Sequence, residues 1–111
     1  MKSIDPPWTT LVDVATLAAA LGEGVRVVDA RGTGSRAVRG VDARAALADP
    51  KAGAGQYAAG HIPGAVHAAL NQDLSDLRRS GHGRHPLPDS DAFAARVGQW
   101  GIGQDTQVVV Y

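Results

Sequence analysis

Apolar and polar positions alternate along this chain in two distinct periods. Behind Asp13, whose side-chain oxygen suits an N-cap, Val14, Leu17, Ala18 and Leu21 recur at helical spacing until Gly22 and Gly24 interrupt the run. The pattern predicts a helix over 14–21. Val25-Arg26-Val27-Val28-Asp29 follows, and three valines in four residues, crowded at Cβ, favour an extended strand buried on both faces. Gln107-Val108-Val109-Val110-Tyr111 has the same character. It comes after a second predicted helix, capped by Asp89 or Ser90, carrying Phe93, Val97 and Trp100 near one face, and stopped by Gly101 and Gly103. Ala65-Val66-His67-Ala68, between turn signals, reads as a third, shorter strand. Buried strands that follow helices, with little period-two alternation, predict an α/β fold with a parallel sheet.

Residues 30–60 break this regularity. Val28-Asp29-Ala30-Arg31 recurs as Val41-Asp42-Ala43-Arg44, and the residues between them are small, basic and flexible. Two copies cannot bury a stacked core, so residues 32–44 read as a surface insertion rather than a solenoid repeat. The last strand ends the sequence with no cap, turn or polar tail, which predicts a domain cut within its sheet.

Composition narrows the chemistry. The 111 residues fit one domain, and 11 Lys+Arg against 11 Asp+Glu supply no basic surplus for nucleic acid or an anionic membrane. No apolar run approaches the roughly 20 residues of a membrane span, so a cytoplasmic protein is expected. Of the hydrophobic residues 20 are Ala, while Leu, Ile, Val and Phe number 24, so the core should be thin. Cysteine is absent, which removes disulfides, thiolate metal sites and a cysteine nucleophile together.

Other motifs carry little. Gly32-Thr33-Gly34-Ser35-Arg36-Ala37 meets a relaxed pyrophosphate-binding pattern, but Gly40 cuts off the helix that such a site needs. His82 and His85 flank Gly83 and precede Pro86, so no helix fixes them on one face for a metal. Neither a metal nor a cofactor is expected. The arginines Arg31, Arg36, Arg39, Arg44, Arg78, Arg79 and Arg84 could grip an anion only if the fold made them converge. Gly60-His61-Ile62-Pro63-Gly64-Ala65 carries type II turn chemistry, with Pro63 fixing φ at the first corner and Gly64 permitting positive φ at the second.

These segments, taken in order, resemble rhodanese domains: Val27 to Arg31, Gly60 to Ala65, Asp73-Leu74-Ser75, Gly83 to Pro88, Phe93-Ala94, Gly101-Ile102-Gly103 and Thr106 to Tyr111. Gly83-Arg84-His85-Pro86-Leu87-Pro88 is most similar to the N-terminal half of two-domain thiosulfate or 3-mercaptopyruvate sulfurtransferases. The resemblance implies a three-layer α/β domain with a central parallel sheet, here residues 1–111 and incomplete at the C-terminus. It also implies sulfur transfer, in which a loop cysteine takes sulfane sulfur from a small donor anion, holds it as a persulfide and passes it to a thiophile.

That cysteine is missing here, and the position after Tyr111 is where single-domain members carry it and silent N-terminal halves usually carry Asp. The expectation is therefore the N-terminal portion of a sulfurtransferase, lacking its second rhodanese domain and inactive alone, with a non-catalytic docking module as the alternative. Phosphatases on the related fold need the same cysteine. No catalytic residue is assigned. Asp29, Arg31, His61, Pro63, Gly64 and Arg84 are the supporting positions, structural or cleft-lining. One departure bears on them: Gly55 and Gln56 stand where the family commonly has an acidic residue, which puts the usual tie between Arg31 and the Gly60–Ala65 turn in question.

Overall fold

The computed structural model describes residues 7–32 and 52–111. The second Val-Asp-Ala-Arg copy and most of the predicted insertion at 32–44 lie outside the described residues. The elements run α1 (Val14–Ala20), β1 (Val25–Asp29), α2 (Ala52–Ala59), β2 (Val66–His67), α3 (Ser90–Gln99) and β3 (Gln107–Val110).

α1 begins where Asp13 Oδ1 accepts a hydrogen bond from the Thr16 amide at 2.7 Å, satisfying one of the free donors of the first turn. It stops at Gly22 and Gly24, whose φ values of 85° and 79° a side chain would oppose. α3 is capped by Asp89 Oδ2, 3.2 Å from the Ala92 amide, and ends before Gly101, where φ is 80°. α2 has no cap or apolar periodicity to announce it in the sequence, and its four alanines are offset by Gly53 and Gly55. Its Ala-Gly-Ala-Gly-Gln-Tyr-Ala-Ala run has two glycines, so it owes its helicity to tertiary contacts.

The three strands form one parallel sheet in the order β2-β1-β3, with β1 in the middle. Val28 pairs with Val66 on one side and with Val110 on the other. Residues in register on parallel strands share a face. One face therefore carries Val25, Val27 and Val109, and it is the packed one: Leu17, Val25, Val27 and Ala65 form its buried centre, with Trp8, Val12, Tyr57, Ile62 and Tyr111 packed around them. The opposite face carries Arg26, Val28, Val108 and Val110.

Here the sequence expectation needs correction. β1 is buried on both faces, but β3 is not: Val108 is 37% and Val110 61% exposed, because among the described residues β3 is an edge strand. The apolar face expected on α3 is also incompletely covered. Val97 and Trp100 are half-buried, Phe93 stays 37% exposed, and no residue of the helix is fully buried. An ion pair at 3.0 Å between Arg96 Nε and Asp73 Oδ1 ties α3 to the segment after β2.

Candidate functional site

In open parallel sheets the strands' carboxyl ends carry the ligand-facing loops. β1 delivers Asp29 to that end, β2 delivers His67 in register with it, and Tyr111 lies just past β3. Backbone bonds hold the three chain exits together. The Ala68 amide donates to Asp29 O at 2.8 Å, the Ala30 amide to Tyr111 O at 2.7 Å, and the Tyr111 amide to Val28 O at 3.0 Å.

Asp29 is a fully buried carboxylate, and every approach to it is occupied. Oδ1 accepts from the Arg31 amide at 2.9 Å and from Arg31 Nε at 3.1 Å. Oδ2 accepts from Arg31 Nη2 at 2.8 Å, Nε at 3.1 Å and the Tyr111 hydroxyl at 3.2 Å. Burial alone would raise its pKa. The side-chain and backbone bonds from Arg31, with that of Tyr111, outweigh it and hold the carboxyl below the ordinary aspartate range. The same hydrogen bonds raise the Arg31 pKa, so the pair stays ionised at neutral pH.

The tie between Arg31 and the turn is made after all. Without a carboxylate near Gly55 and Gln56, Arg31 Nη2 donates instead to the backbone carbonyls of Gln56, at 3.2 Å, and of Gly60. A guanidinium fork can address a carboxylate and two carbonyls at once, which an ammonium cannot match. Close approach makes this possible: a Cβ on Gly53 would lie 2.4 Å from the Arg31 carbonyl oxygen and 3.1 Å from His67 Cε1. The glycine that weakens α2 as a helix is what lets it lie against the end of β1.

The Gly60–Ala65 turn has the geometry its sequence predicts. The Ala65 amide donates to Ile62 O at 2.9 Å across Pro63 and Gly64, and Gly64 has φ of 78°. The turn is held by two tyrosines that sequence reading did not place at the site. The Tyr111 hydroxyl accepts from the Ile62 amide at 3.0 Å while donating to Asp29, and the Tyr57 hydroxyl donates to Ala65 O at 2.7 Å. Tyr111 also lies beneath Arg31, with the guanidinium carbon 5.3 Å from its ring centre.

His61 is exposed. Its ring stacks on Tyr57 with centres 3.7 Å apart, and its Nδ1 lies 2.7 Å from the Tyr57 carbonyl. Since a carbonyl only accepts, Nδ1 carries the hydrogen, and among the described residues Nε2 makes no hydrogen bond. Arg84 is exposed and joins none of these contacts. The site therefore unites Asp29, Arg31, His61, Pro63 and Gly64 and leaves Arg84 apart.

A carboxylate with five bonds and no exposure is in no position to accept a proton from a substrate or to bind a metal. Among the described residues no group of three or more His, Cys, Asp or Glu side chains could hold a metal ion. The arrangement is a lock: Asp29, Arg31 and Tyr111 join the ends of β1 and β3 to the turn that enters β2. The described residues thus define a parallel α/β domain whose carboxyl end is fixed by an ion pair between the buried Asp29 and the half-exposed Arg31.

Comparison with known proteins gives that class its name. The rhodanese-like domain profile matches residues 13–111, and the chain belongs to this family. A protein of Pseudomonas aeruginosa named "Probable 3-mercaptopyruvate sulfurtransferase" is 50% identical over 72 residues, 64% of this chain and 25% of that protein. A Mycobacterium tuberculosis protein named "Putative thiosulfate sulfurtransferase SseB" is 45% identical over 71 residues, again 64% of this chain and 25% of the relative. The match thus spans about a quarter of the length of each relative. No helix among the described residues is long and apolar enough to cross a membrane.

Proposed function

We propose that this chain is the N-terminal, non-catalytic portion of a rhodanese-like sulfurtransferase whose sulfur donor is a small anion such as thiosulfate or 3-mercaptopyruvate. One observation carries the reading: a member of a family whose chemistry runs through a persulfide contains no cysteine. Sulfane sulfur needs a thiolate to attack it and hold it, and no serine, histidine or carboxylate forms an equivalent stable carrier. Lengths agree with this division of labour, since the relatives extend about three quarters of their length beyond the matched segment.

On this reading Asp29, Arg31 and Tyr111 are positioning residues. They hold the end of β3 and the Gly60–Ala65 turn rigid, so that a second, cysteine-bearing domain meets a fixed surface on which His61 and its Nε2 are presented. The chain resides in the cytoplasm and needs no metal or cofactor. The purified 111-residue chain should transfer no sulfur from thiosulfate or 3-mercaptopyruvate to cyanide. Thiocyanate formation above the buffer rate, undiminished after cyanide pretreatment to strip contaminating persulfides, would overturn the proposal.

A further inference from the structure

The segment that follows β2 holds arginines the lock does not use. Between Leu77 and Pro88 the chain carries Arg78, Arg79 and Arg84 and no carboxylate, although the whole sequence has equal numbers of acidic and basic residues. The fold closes this stretch into a loop. The Asp76 amide donates to Pro86 O at 2.8 Å, and Arg79 Nη1 donates to Leu87 O at 2.7 Å, so its two ends meet at a neck. Asp76 pairs with Arg78, Nε to Oδ1 at 2.9 Å. The bonds from Arg78, and after them the charges of Arg78 and Arg79, hold the Asp76 carboxyl below the ordinary aspartate range. Arg84 is exposed, and neither it nor Arg79 makes an ion pair among the described residues. From Asp76 to Pro88, three permanently charged guanidiniums therefore have one carboxylate between them.

Beside the neck lies a groove of about 330 Å³, lined by Asn71, Gln72, Leu77, Arg78, Pro88 and, from the start of α3, Ala92. Asn71 and Gln72 bring side-chain amides, which both donate to and accept from a peptide backbone. The Asn71 oxygen has no hydrogen bond of its own. Leu77 is 52% and Leu87 75% exposed, one beside each end of the neck. Asp89, the other carboxylate of the groove, is engaged by the Ala92 amide at 3.2 Å. The surface is set in advance: Ser75 and Pro86 are buried, the Ser75 hydroxyl donates to Leu70 O, and Asp73 Oδ2 accepts from the Ala69 amide at 2.9 Å. Little ordering is then needed on binding. A cationic rim beside exposed leucines and free amides suits a polypeptide that is both acidic and apolar. Nucleic acid would use the arginines but leave the leucines in water, and a net charge of zero supplies no wider field to draw it in.

We propose that this surface, residues 71–92, docks an extended segment of a partner protein in which apolar side chains are flanked by carboxylates. The apolar side chains lie on Leu77, Leu87 and Pro88, the carboxylates reach Arg79 and Arg84, and the backbone bonds to the amides of Asn71 and Gln72. Such docking is independent of sulfur transfer and holds whether the chain is catalytically silent or not.

Fluorescence anisotropy of the purified chain with labelled peptides tests this: one built on Glu-Leu-Glu-Leu-Glu, one with serine for leucine, and one with lysine for glutamate. Only the first is expected to bind, with a Kd of about 10–100 µM in about 50 mM salt. Raising the salt to about 300 mM should weaken it about fivefold. Arg84→Glu should raise the Kd about tenfold and Leu87→Ser about fivefold. Both side chains are exposed, so the fold should survive, which circular dichroism checks. On the unaltered chain, backbone amide shifts during titration with the first peptide should concentrate in residues 71–92. No binding of that peptide at about 1 mM overturns the proposal. So does equal binding of the serine peptide, the lysine peptide or an oligothymidylate, or indifference to Arg84→Glu and Leu87→Ser together. A dimer of the unaltered chain that Arg84→Glu dissolves also overturns it and gives the surface to a second copy.

Discussion

Replacing Asp29 by Asn changes two atoms' chemistry and almost no volume, and it tests the lock at its centre. The wild-type carboxylate accepts five hydrogen bonds and has no exposed surface. In the variant the amide nitrogen must face either Arg31 or Tyr111, both of which donate, and Arg31 loses its counter-charge. Removing one member of a buried pair costs roughly 3–5 kcal/mol. Arg31 retains access to water and two carbonyl partners, so a loss of about 2–3 kcal/mol is the better figure. Against the roughly 5–15 kcal/mol expected of a chain this size, that is a large share. With a urea m-value of about 1–1.5 kcal/mol/M, the unfolding midpoint should fall by about 2 M.

Circular dichroism and the fluorescence of Trp8 and Trp100 can follow the transition. The pH dependence supplies the sign. Because the folded pKa of Asp29 lies below its unfolded value, the pair's contribution is complete above about pH 4 and is lost as pH falls through the lower folded value. The gap between wild type and variant should therefore be full at neutral pH and narrow as pH falls below the ordinary aspartate range. A midpoint shift under about 0.5 M, or a gap as wide in acid as at neutrality, would refute the account of Asp29 as a charged tether.

Two further predictions follow from the same geometry. Gly53→Ala should destabilise by about 1–3 kcal/mol, since its methyl would meet the Arg31 carbonyl at 2.4 Å, whereas Gly55→Ala, with open space around it, should stabilise α2 by about 0.5–1 kcal/mol. Thermal melts of the two variants should move in opposite directions. Tyr111→Phe should cost about 1–3 kcal/mol by orphaning the Ile62 amide and one Asp29 bond, and hydrogen exchange should show the Ile62 amide opening more than those of β1.

Much of this protein was legible in the order of its residues. Valine density marked β1 and β3, Asp13 and the glycines after Leu21 set the ends of α1, and Pro63-Gly64 determined its turn type, because each of these effects acts within a few bonds of the residue that causes it. The motif order also identified the family. Tertiary structure decided what depends on partners distant along the chain. A run with two glycines became α2 because Gly53 lets the backbone approach β1. Gln56 and Gly60 satisfied Arg31 through carbonyls, which every residue possesses and no sequence pattern announces. Tyr57 and Tyr111 joined the site because folding brought their hydroxyls to it. Local chemistry named the elements, and the distance between strand ends made Asp29, Arg31 and Tyr111 a single lock.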